Sequence, residues 1–175
     1  VHPLATRAGV AALEKGGNAV DAAIAAALTL GVVDSHNSGI GGGSLLLIRT
    51  ADGKLVALDG REMAPTKAHR DMYLKDGRAD GAASQTGPLA VATPGVLAAY
   101  DEALRQFGRR TLADALRPAA QIADDGFPLD RNFAGNLARN AATLAKFEGS
   151  RAALLKPDGQ PYREGETLRQ PDLAR

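Results

Sequence analysis

The residue best suited to recognition chemistry is Arg61, which follows an apolar strand pattern and precedes Glu62. Its planar guanidinium can form two parallel charge-assisted hydrogen bonds with a carboxylate, so it could hold an acidic ligand by a fixed edge. Taken by itself, however, such an arginine is more often an exposed residue of a surface salt bridge. The residue type therefore leaves both interpretations open.

A run of glycines lies upstream of Arg61, within the letters NSGIGGGS at residues 37–44. Glycine has no Cβ and tolerates positive φ, so this backbone can pass close to another segment or to a ligand. A phosphate-binding loop would be followed by a helix and would carry a Gly-Lys-Ser/Thr ending. Here a strand pattern follows, which favours a close-packing loop at the entry to a hairpin.

Other polar clusters are weaker candidates. Asp34, Ser35 and His36 have the residue types of a hydrolytic triad, but three successive residues cannot align their side chains for a proton relay, so we interpret them as loop residues. His2, His36 and His69 lack the spacing of metal ligands. We therefore predict no metal site and no cofactor.

The elements that would position Arg61 are two apolar strands joined by a tight turn. Strands are predicted over residues 44–50 and 54–59, because the Asp-Gly pair between them is a strong hairpin signal. The unbroken triplet of leucines at residues 45–47 predicts a strand covered on both faces. A two-stranded hairpin is marginal in water, so most of its sheet should come from sequence outside this chain.

Helices account for most of the remaining sequence. Capping residues, glycines and prolines predict helices over residues 3–15, 19–30, 94–107, 112–125 and 130–146, a short one near 68–74, and another beginning at Pro171. Residues 76–87 form a glycine-rich exposed loop. We interpret residues 1–175 as one incomplete domain of a larger protein.

Composition excludes several classes of function. The chain has 175 residues, with 21 Lys and Arg against 20 Asp and Glu, so its balance gives no reason to expect a nucleic-acid partner. It has no cysteine. The longest apolar stretch, residues 22–33, is shorter than the roughly 20 residues of a spanning helix, so no membrane span is predicted. The chain opens without an initiator methionine or a basic-then-apolar leader, so we expect a processed or truncated product.

Five ordered motifs resemble those of the γ-glutamyltranspeptidase family. The two most specific are the opening helices, with HPLAT at residues 2–6 and GGNAVDAAIA at 16–25, and the hairpin signature, with SGIGGG at 38–43 and DGREMAP at 59–65. The others are TPGV at 93–96, GFP at 126–128, and PDG at 157–159 through QPDLA at 170–174. A chance match across five ordered blocks is improbable.

The resemblance implies an α+β fold, the αββα sandwich of the N-terminal-nucleophile hydrolases, in a precursor that cleaves itself into a large and a small subunit. This chain would be the N-terminal part of the large subunit, a helix-rich partial segment with one β-hairpin. The nucleophilic threonine would lie outside it, so no catalytic residue is assigned here. By the same resemblance, Arg61 would bind the α-carboxylate of a γ-glutamyl substrate. Glu62 is given only a supporting role, because adjacent side chains at a strand end tend to point apart.

The implied activity of the complete protein is transfer or hydrolysis of the γ-glutamyl group of glutathione and related amides. Its partners would be that substrate and the remainder of the precursor, and its location the periplasm or the exterior. Alternatives are an acylase or a poly-γ-glutamate transpeptidase on the same scaffold, since fold does not settle substrate. A helical binding module without enzymatic activity is a third interpretation.

Overall fold

The computed structural model describes residues 2–175. In chain order, its elements are helix α1 (Pro3–Glu14), helix α2 (Ala19–Val33), strand β1 (Ser44–Arg49), strand β2 (Leu55–Gly60), strand β3 (Leu74–Lys75), strand β4 (Arg78–Ala79), a 3₁₀ turn (Pro88–Ala90), helix α3 (Val96–Phe107), helix α4 (Leu112–Asp125), strand β5 (Phe127–Pro128), helix α5 (Arg131–Leu144), helix α6 (Glu148–Leu154), strand β6 (Thr167–Leu168) and helix α7 (Pro171–Ala174). The chain divides into two compact units. The first comprises the chain up to Gly39 together with Leu104–Arg175, and the second is Ile40–Ala103.

Capping residues set the starts of the helices in the first unit. The side chain of Asn18 accepts hydrogen bonds from the N–H groups of Val20 and Asp21, and the Asp21 carboxylate accepts in return from the N–H of Asn18. Thr111 and Asp114 form the same reciprocal capping box at α4. The predicted helix starts at residues 3, 19 and 112 are therefore confirmed, and the physical reason is the satisfaction of N–H groups that lack partners within the helix.

Helix α2 extends three residues beyond its predicted end. Gly31, the first residue beyond the predicted end, lies where a Cβ atom would be 3.4 Å from the Cα of Gly39. The residue is therefore used for close approach of two backbone segments rather than for a break. Burial of Val32 and Val33 continues the helix's apolar contacts to its last turn.

Small side chains dominate the packing of the first unit. Helices α1, α2 and α4 pack against one another, and their buried apolar residues include Ala5, Ala8, Ile24, Ala25, Leu28, Ala115 and Ala119. Alanine keeps a helix surface narrow, which brings neighbouring backbones together. Strand β5 pairs with β6, burying Phe127 and Leu168.

The second unit is built on the predicted hairpin. Strands β1 and β2 pair antiparallel with Ser44 opposite Gly60 and Arg49 opposite Leu55, and Gly53 occupies the turn at φ +90°. One face is partly buried, whereas Leu45 and Leu47 on the other face are 72% and 74% exposed. Residues 2–175 do not cover this second face, so coverage of the ribbon on both faces stays a prediction for the longer protein.

One helix prediction in the second unit is wrong, and another predicted helix begins two residues later than expected. Residues 68–73 form turns and irregular backbone that lead into β3, which pairs with β4 across Asp76 and Gly77 at φ +53° and +74°. Helix α3 begins at Val96, later than predicted, because Thr93 forms an antiparallel bridge with Met63 and is therefore extended. Both differences come from pairing between segments.

The later helices agree with prediction more closely. Asp130 caps α5 by accepting a hydrogen bond from the N–H of Phe133, and α7 begins at Pro171 as expected. Helix α6 and the β5–β6 pair were not predicted. Among residues 2–175, no helix is both long enough and apolar enough to cross a bilayer.

Candidate functional site

Arg61 lies immediately after the last residue of β2. Its backbone N–H donates to Asp59 Oδ1 at 2.9 Å, which turns the chain at the strand end. The side chain is 66% exposed. The local sequence therefore fixes the backbone by a short-range hydrogen bond and leaves the guanidinium accessible.

Three glycines let other segments approach the backbone at Arg61. A Cβ atom on Gly43 would lie 2.8 Å from Arg61 Cα, and one on Gly95 would lie 2.8 Å from the Arg61 carbonyl oxygen. On Gly60 it would lie 2.5 Å from the Cβ of Ala99. Such separations do not occur for real side chains, so each position requires glycine or a displaced backbone. Within the glycine run, the close packing that the sequence predicted is found at Gly43, whereas a Cβ on Gly41 would meet nothing within 4 Å.

Backbone hydrogen bonds connect the glycine run and the segment after Arg61 to the residues around the start of α3. The N–H groups of Gly95 and Val96, at the start of α3, both donate to the carbonyl of Gly42 at 3.2 Å. Met63 and Thr93 exchange two hydrogen bonds of 3.0 and 2.8 Å. The segment that carries Arg61 is therefore held by β1, by the glycine loop and by the start of α3.

Glu62 lies closer to Arg61 than the sequence predicted. Its Oε2 is 3.3 Å from Arg61 Nε, and its side chain is 27% exposed. The expectation that the two side chains point apart is wrong, because β2 ends at Gly60 and strand alternation no longer applies to residues 61 and 62. The sequence signal that could have located this contact is the end of the strand pattern just before Arg61.

Asp34 and His36 lie in the turn after α2 and contact each other, with 3.3 Å between Asp34 Oδ1 and His36 Nε2. The His36 ring packs on Phe133 with 5.0 Å between centroids, and Asn37 donates to Asp34 at 3.1 Å. Among residues 2–175, no hydrogen bond joins the Ser35 hydroxyl to this pair. The arrangement fits loop residues packed on an aromatic core, not a nucleophile with its base.

The other histidines serve local structure or lie exposed. His2 Nδ1 accepts a hydrogen bond from the N–H of Leu4 and caps α1. Partial burial is the main cause that lowers the pKa of His2, so its neutral form is favoured. His69 is exposed. In the part of the chain that the structure describes, no three His, Asp or Glu side chains are grouped so that they could hold a metal ion.

The chain resembles known proteins over nearly its whole length. The family model described as gamma-glutamyltranspeptidase matches residues 5–175. The glutathione hydrolase proenzyme of Escherichia coli (strain K12) is 41% identical over 177 residues, covering 100% of this chain and 30% of that protein. The acylase ACY 1 proenzyme of Pseudomonas sp. (strain V22) is 42% identical over 180 residues, covering 99% and 32%. The crystal structure of Helicobacter pylori gamma-glutamyltranspeptidase matches with a TM-score of 0.95 and 37% identity, covering 99% of this chain and 50% of that one.

The chain belongs to the γ-glutamyltranspeptidase family. The resemblance that the motifs predicted is confirmed, and so is the helix-rich α+β fold. The chain spans about 30% of the length of the glutathione hydrolase proenzymes that it matches. It therefore aligns with about a third of each of those proenzymes.

Proposed function

We propose that the complete protein transfers or hydrolyses the γ-glutamyl group of glutathione and related amides, and that Arg61 in this segment binds the substrate's α-carboxylate. The observation that carries the proposal is an exposed guanidinium on a backbone held by Gly43 and Gly95. The names of relatives about 40% identical, glutathione hydrolase proenzymes, support the substrate class.

The chemistry assigned to Arg61 is orientation. A carboxylate held by two parallel N–H···O bonds cannot rotate freely, so the γ-carbonyl at the other end of the glutamyl chain is presented in a fixed direction. The nucleophile is a threonine outside residues 1–175, whose hydroxyl attacks that carbonyl while its α-amino group takes the proton. The amine or peptide leaves with a proton, and water or an amino acid then resolves the glutamyl ester.

The role of the rest of the precursor and the cellular location of the mature protein are part of the same proposal. The rest of the precursor supplies the nucleophile and the donors that stabilise the tetrahedral intermediate, and the mature protein acts in the periplasm or outside the cell. The relatives are named proenzymes, which supports a precursor that is processed.

An acylase is the second candidate, because a relative of that name is 42% identical to this chain. Arg61 favours a substrate with a free α-carboxylate. The acyl group that an acylase removes need not carry such a carboxylate. A mass-spectrometric screen of amide cleavage by the complete protein would separate the two activities. Cleavage restricted to γ-glutamyl amides supports the proposal, and cleavage of amides that lack the carboxylate supports the acylase.

Substitution of Arg61 in the complete protein tests the proposal directly. With a γ-glutamyl anilide, Arg61→Ala should lower kcat/KM by about a hundredfold or more, since two charge-assisted bonds are lost. Arg61→Lys keeps the charge but not the paired geometry, so it should recover only part of the activity. Unchanged kcat and KM in both variants would remove Arg61 from the site.

A further inference from the structure

We propose that Asp59 is a positioning residue for Arg61, and this inference rests on the proposed function. The N–H of Arg61 donates to Asp59 Oδ1 at 2.9 Å, and this hydrogen bond sets the direction in which the Arg61 side chain leaves the backbone. Asp59 does not touch the substrate. It holds the residue that does, so that the guanidinium meets the substrate's α-carboxylate in one orientation.

The backbone changes its pairing partner at Arg61. Strand β2 is still paired with β1 at Gly60, whereas Met63 is already paired with Thr93. Arg61 lies between these two pairings, so its N–H needs an acceptor that neither of them supplies. The side chain of Asp59, two residues upstream, supplies this acceptor in the local turn that Asp and Asn side chains form.

The close packing around Arg61 acts on other atoms of its backbone. Gly43 approaches the Cα and Gly95 the carbonyl oxygen, in each case so closely that an added Cβ would lie 2.8 Å away. Neither of these contacts involves the N–H. The hydrogen bond to Asp59 is therefore the contact that fixes the peptide plane before Arg61. Because the guanidinium is several bonds from Cα, a small rotation of that plane moves it by a larger distance.

The strand itself does not account for an aspartate at residue 59. Aspartate is depleted in strands, and Asp59 lies exposed on the outer face of β2, opposite Leu45. Among residues 2–175, the N–H of Arg61 is the one group that donates a hydrogen bond to the Asp59 carboxylate. A β-branched or apolar residue would suit the ribbon better, so the turn at Arg61 is the feature that explains Asp59.

The charge of Asp59 does not explain its place beside Arg61 either. A carboxylate near an anion-binding arginine repels an incoming α-carboxylate, and at an exposed position this repulsion is small. The acceptor oxygen is therefore the property on which positioning depends. Asparagine offers the same acceptor without the charge, whereas glutamate keeps the charge but moves the acceptor by one methylene.

Three substitutions at residue 59 of the complete protein separate the acceptor from the charge. With a γ-glutamyl anilide, Asp59→Ala should lower kcat/KM roughly tenfold, because the hydrogen bond that orients Arg61 is lost. Asp59→Glu should show a similar loss, whereas Asp59→Asn should stay within about threefold of the wild type. For the α-methyl ester of the same anilide, which lacks the charged carboxylate, the three variants should differ little from the wild type.

The matched control is Asp52→Ala, in the turn at the opposite end of the same hairpin. Asp52 accepts a hydrogen bond from the N–H of Lys54, two residues on, at 3.4 Å, so this substitution removes a bond of the same kind. It should leave kcat/KM for the anilide unchanged. In an Arg61→Ala background, Asp59→Ala should add no further loss, because both substitutions act on the same contact with the substrate.

Several outcomes would overturn the positioning role of Asp59. They are wild-type kcat/KM in Asp59→Ala, an equal loss in Asp59→Asn and Asp59→Ala, an equal loss on the acid and the ester, and a loss that multiplies with that of Arg61→Ala. A similar loss in Asp52→Ala would also overturn it, since any weakening of the hairpin would then lower activity. If Asp59→Ala fails to fold, Asp59→Glu and Asp59→Asn decide, and equal kcat/KM in these two variants contradicts the inference. If Arg61→Ala alone leaves kcat/KM unchanged, it is the proposed function that fails.

Discussion

Arg61 combines a fixed backbone with an accessible side chain. The N–H of Arg61 is bound by Asp59, and Gly43 and Gly95 approach its Cα and carbonyl oxygen closely. In the proposed role of Arg61, a backbone held in advance means that binding a carboxylate costs only the freedom of one side chain. A recognition residue at the end of a packed strand is for this reason better placed than one in a loop.

Gly43→Ala tests the close packing at the site. The added Cβ would lie 2.7–2.8 Å from Glu62 Oε2, Arg61 Cα and the Gly60 carbonyl oxygen, so the segment must shift. We expect kcat/KM for a γ-glutamyl anilide to fall by about a hundredfold, as for a displacement of about 1 Å.

The control for this substitution is Gly41→Ala, because a Cβ on Gly41 would meet nothing within 4 Å. It should retain wild-type kinetics. Similar losses in both variants would show that the glycine run acts through general flexibility, and similar wild-type activity would show that the site tolerates displacement.

At the residue scale, the sequence predicted the position of Arg61 at the strand end, but it did not predict the contact between Arg61 and Glu62. The strand pattern ending before Arg61 indicated where the guanidinium would stand, because hairpin registers follow from the turn. The contact with Glu62 was mispredicted because alternation of side chains was extended past Gly60, where β2 ends. Contacts outside regular structure depend on the glycines packed against them, which sequence spacing does not give.

At the scale of elements, Asp21 links the start of α2 to the loop before α4. It is 1% exposed, and its carboxylate accepts hydrogen bonds from the N–H groups of Asn18, Arg109 and Arg110 at 2.7–3.1 Å. Asn18 also donates from its side chain to the carbonyl of Phe107 at 2.6 Å. A buried charge with this many donors is a structural anchor.

Asp21→Asn should destabilise the complete protein by about 2 kcal/mol, because one carboxylate oxygen becomes an NH₂ group that faces backbone donors. The measurement is the midpoint of urea-induced unfolding, compared between variants whose m-values are equal. Asp124→Asn is the control, since Asp124 is exposed near the end of α4 and should change stability little. Equal midpoints for Asp21→Asn and the wild type would contradict the anchoring role.

Glu166 gives a prediction about pH. The Lys156 ammonium donates to its Oε1 at 2.6 Å and the N–H of Arg163 donates to its Oε2, and these bonds, the first being the larger cause, lower the pKa of Glu166. A lowered folded-state pKa stabilises the fold above the unfolded-state value of 4.5, and this stabilisation is lost as pH falls through the folded-state pKa.

Glu166→Gln should therefore lower the melting temperature slightly near neutral pH, and the difference from the wild type should shrink on acidification to about pH 3. Melting curves of both proteins across this range test the prediction. A difference that stays constant with pH would show that the substitution acts through packing and not through charge.

Elements bounded by local signals were predictable, and elements bounded by distant contacts were not. Asn18, Thr111 and Asp130 cap helices through bonds to residues two or three positions away, so the sequence contains the whole signal. The start of α3 depends on the bridge between Met63 and Thr93, 30 positions apart in sequence. No local pattern predicts such a pairing.

At the scale of the whole molecule, the outer face of the hairpin is incompletely covered. Leu45, Leu47 and Leu55 lie on one face and are 72%, 74% and 64% exposed. Burying a leucine side chain stabilises a protein by roughly 1.5–3 kcal/mol, so three exposed leucines forgo substantial stabilisation. The leucine triplet predicted burial, and this chain alone does not provide it.

The chain produced by itself should bind a dye that fluoresces on hydrophobic surfaces and should melt with poor cooperativity. Replacing Leu45, Leu47 and Leu55 with threonine should lower dye binding markedly. Leu89→Thr, outside this face, is the control and should change it little. A stable monomer that melts cooperatively and binds no dye would favour the helical binding module instead.

The most direct test of the account is a crystal structure of the complete mature protein with a γ-glutamyl group trapped on its nucleophile. We predict that two nitrogens of the Arg61 guanidinium lie about 2.7–2.9 Å from the α-carboxylate oxygens. An α-carboxylate bound by other residues, with the Arg61 guanidinium out of hydrogen-bonding range, would contradict the central claim.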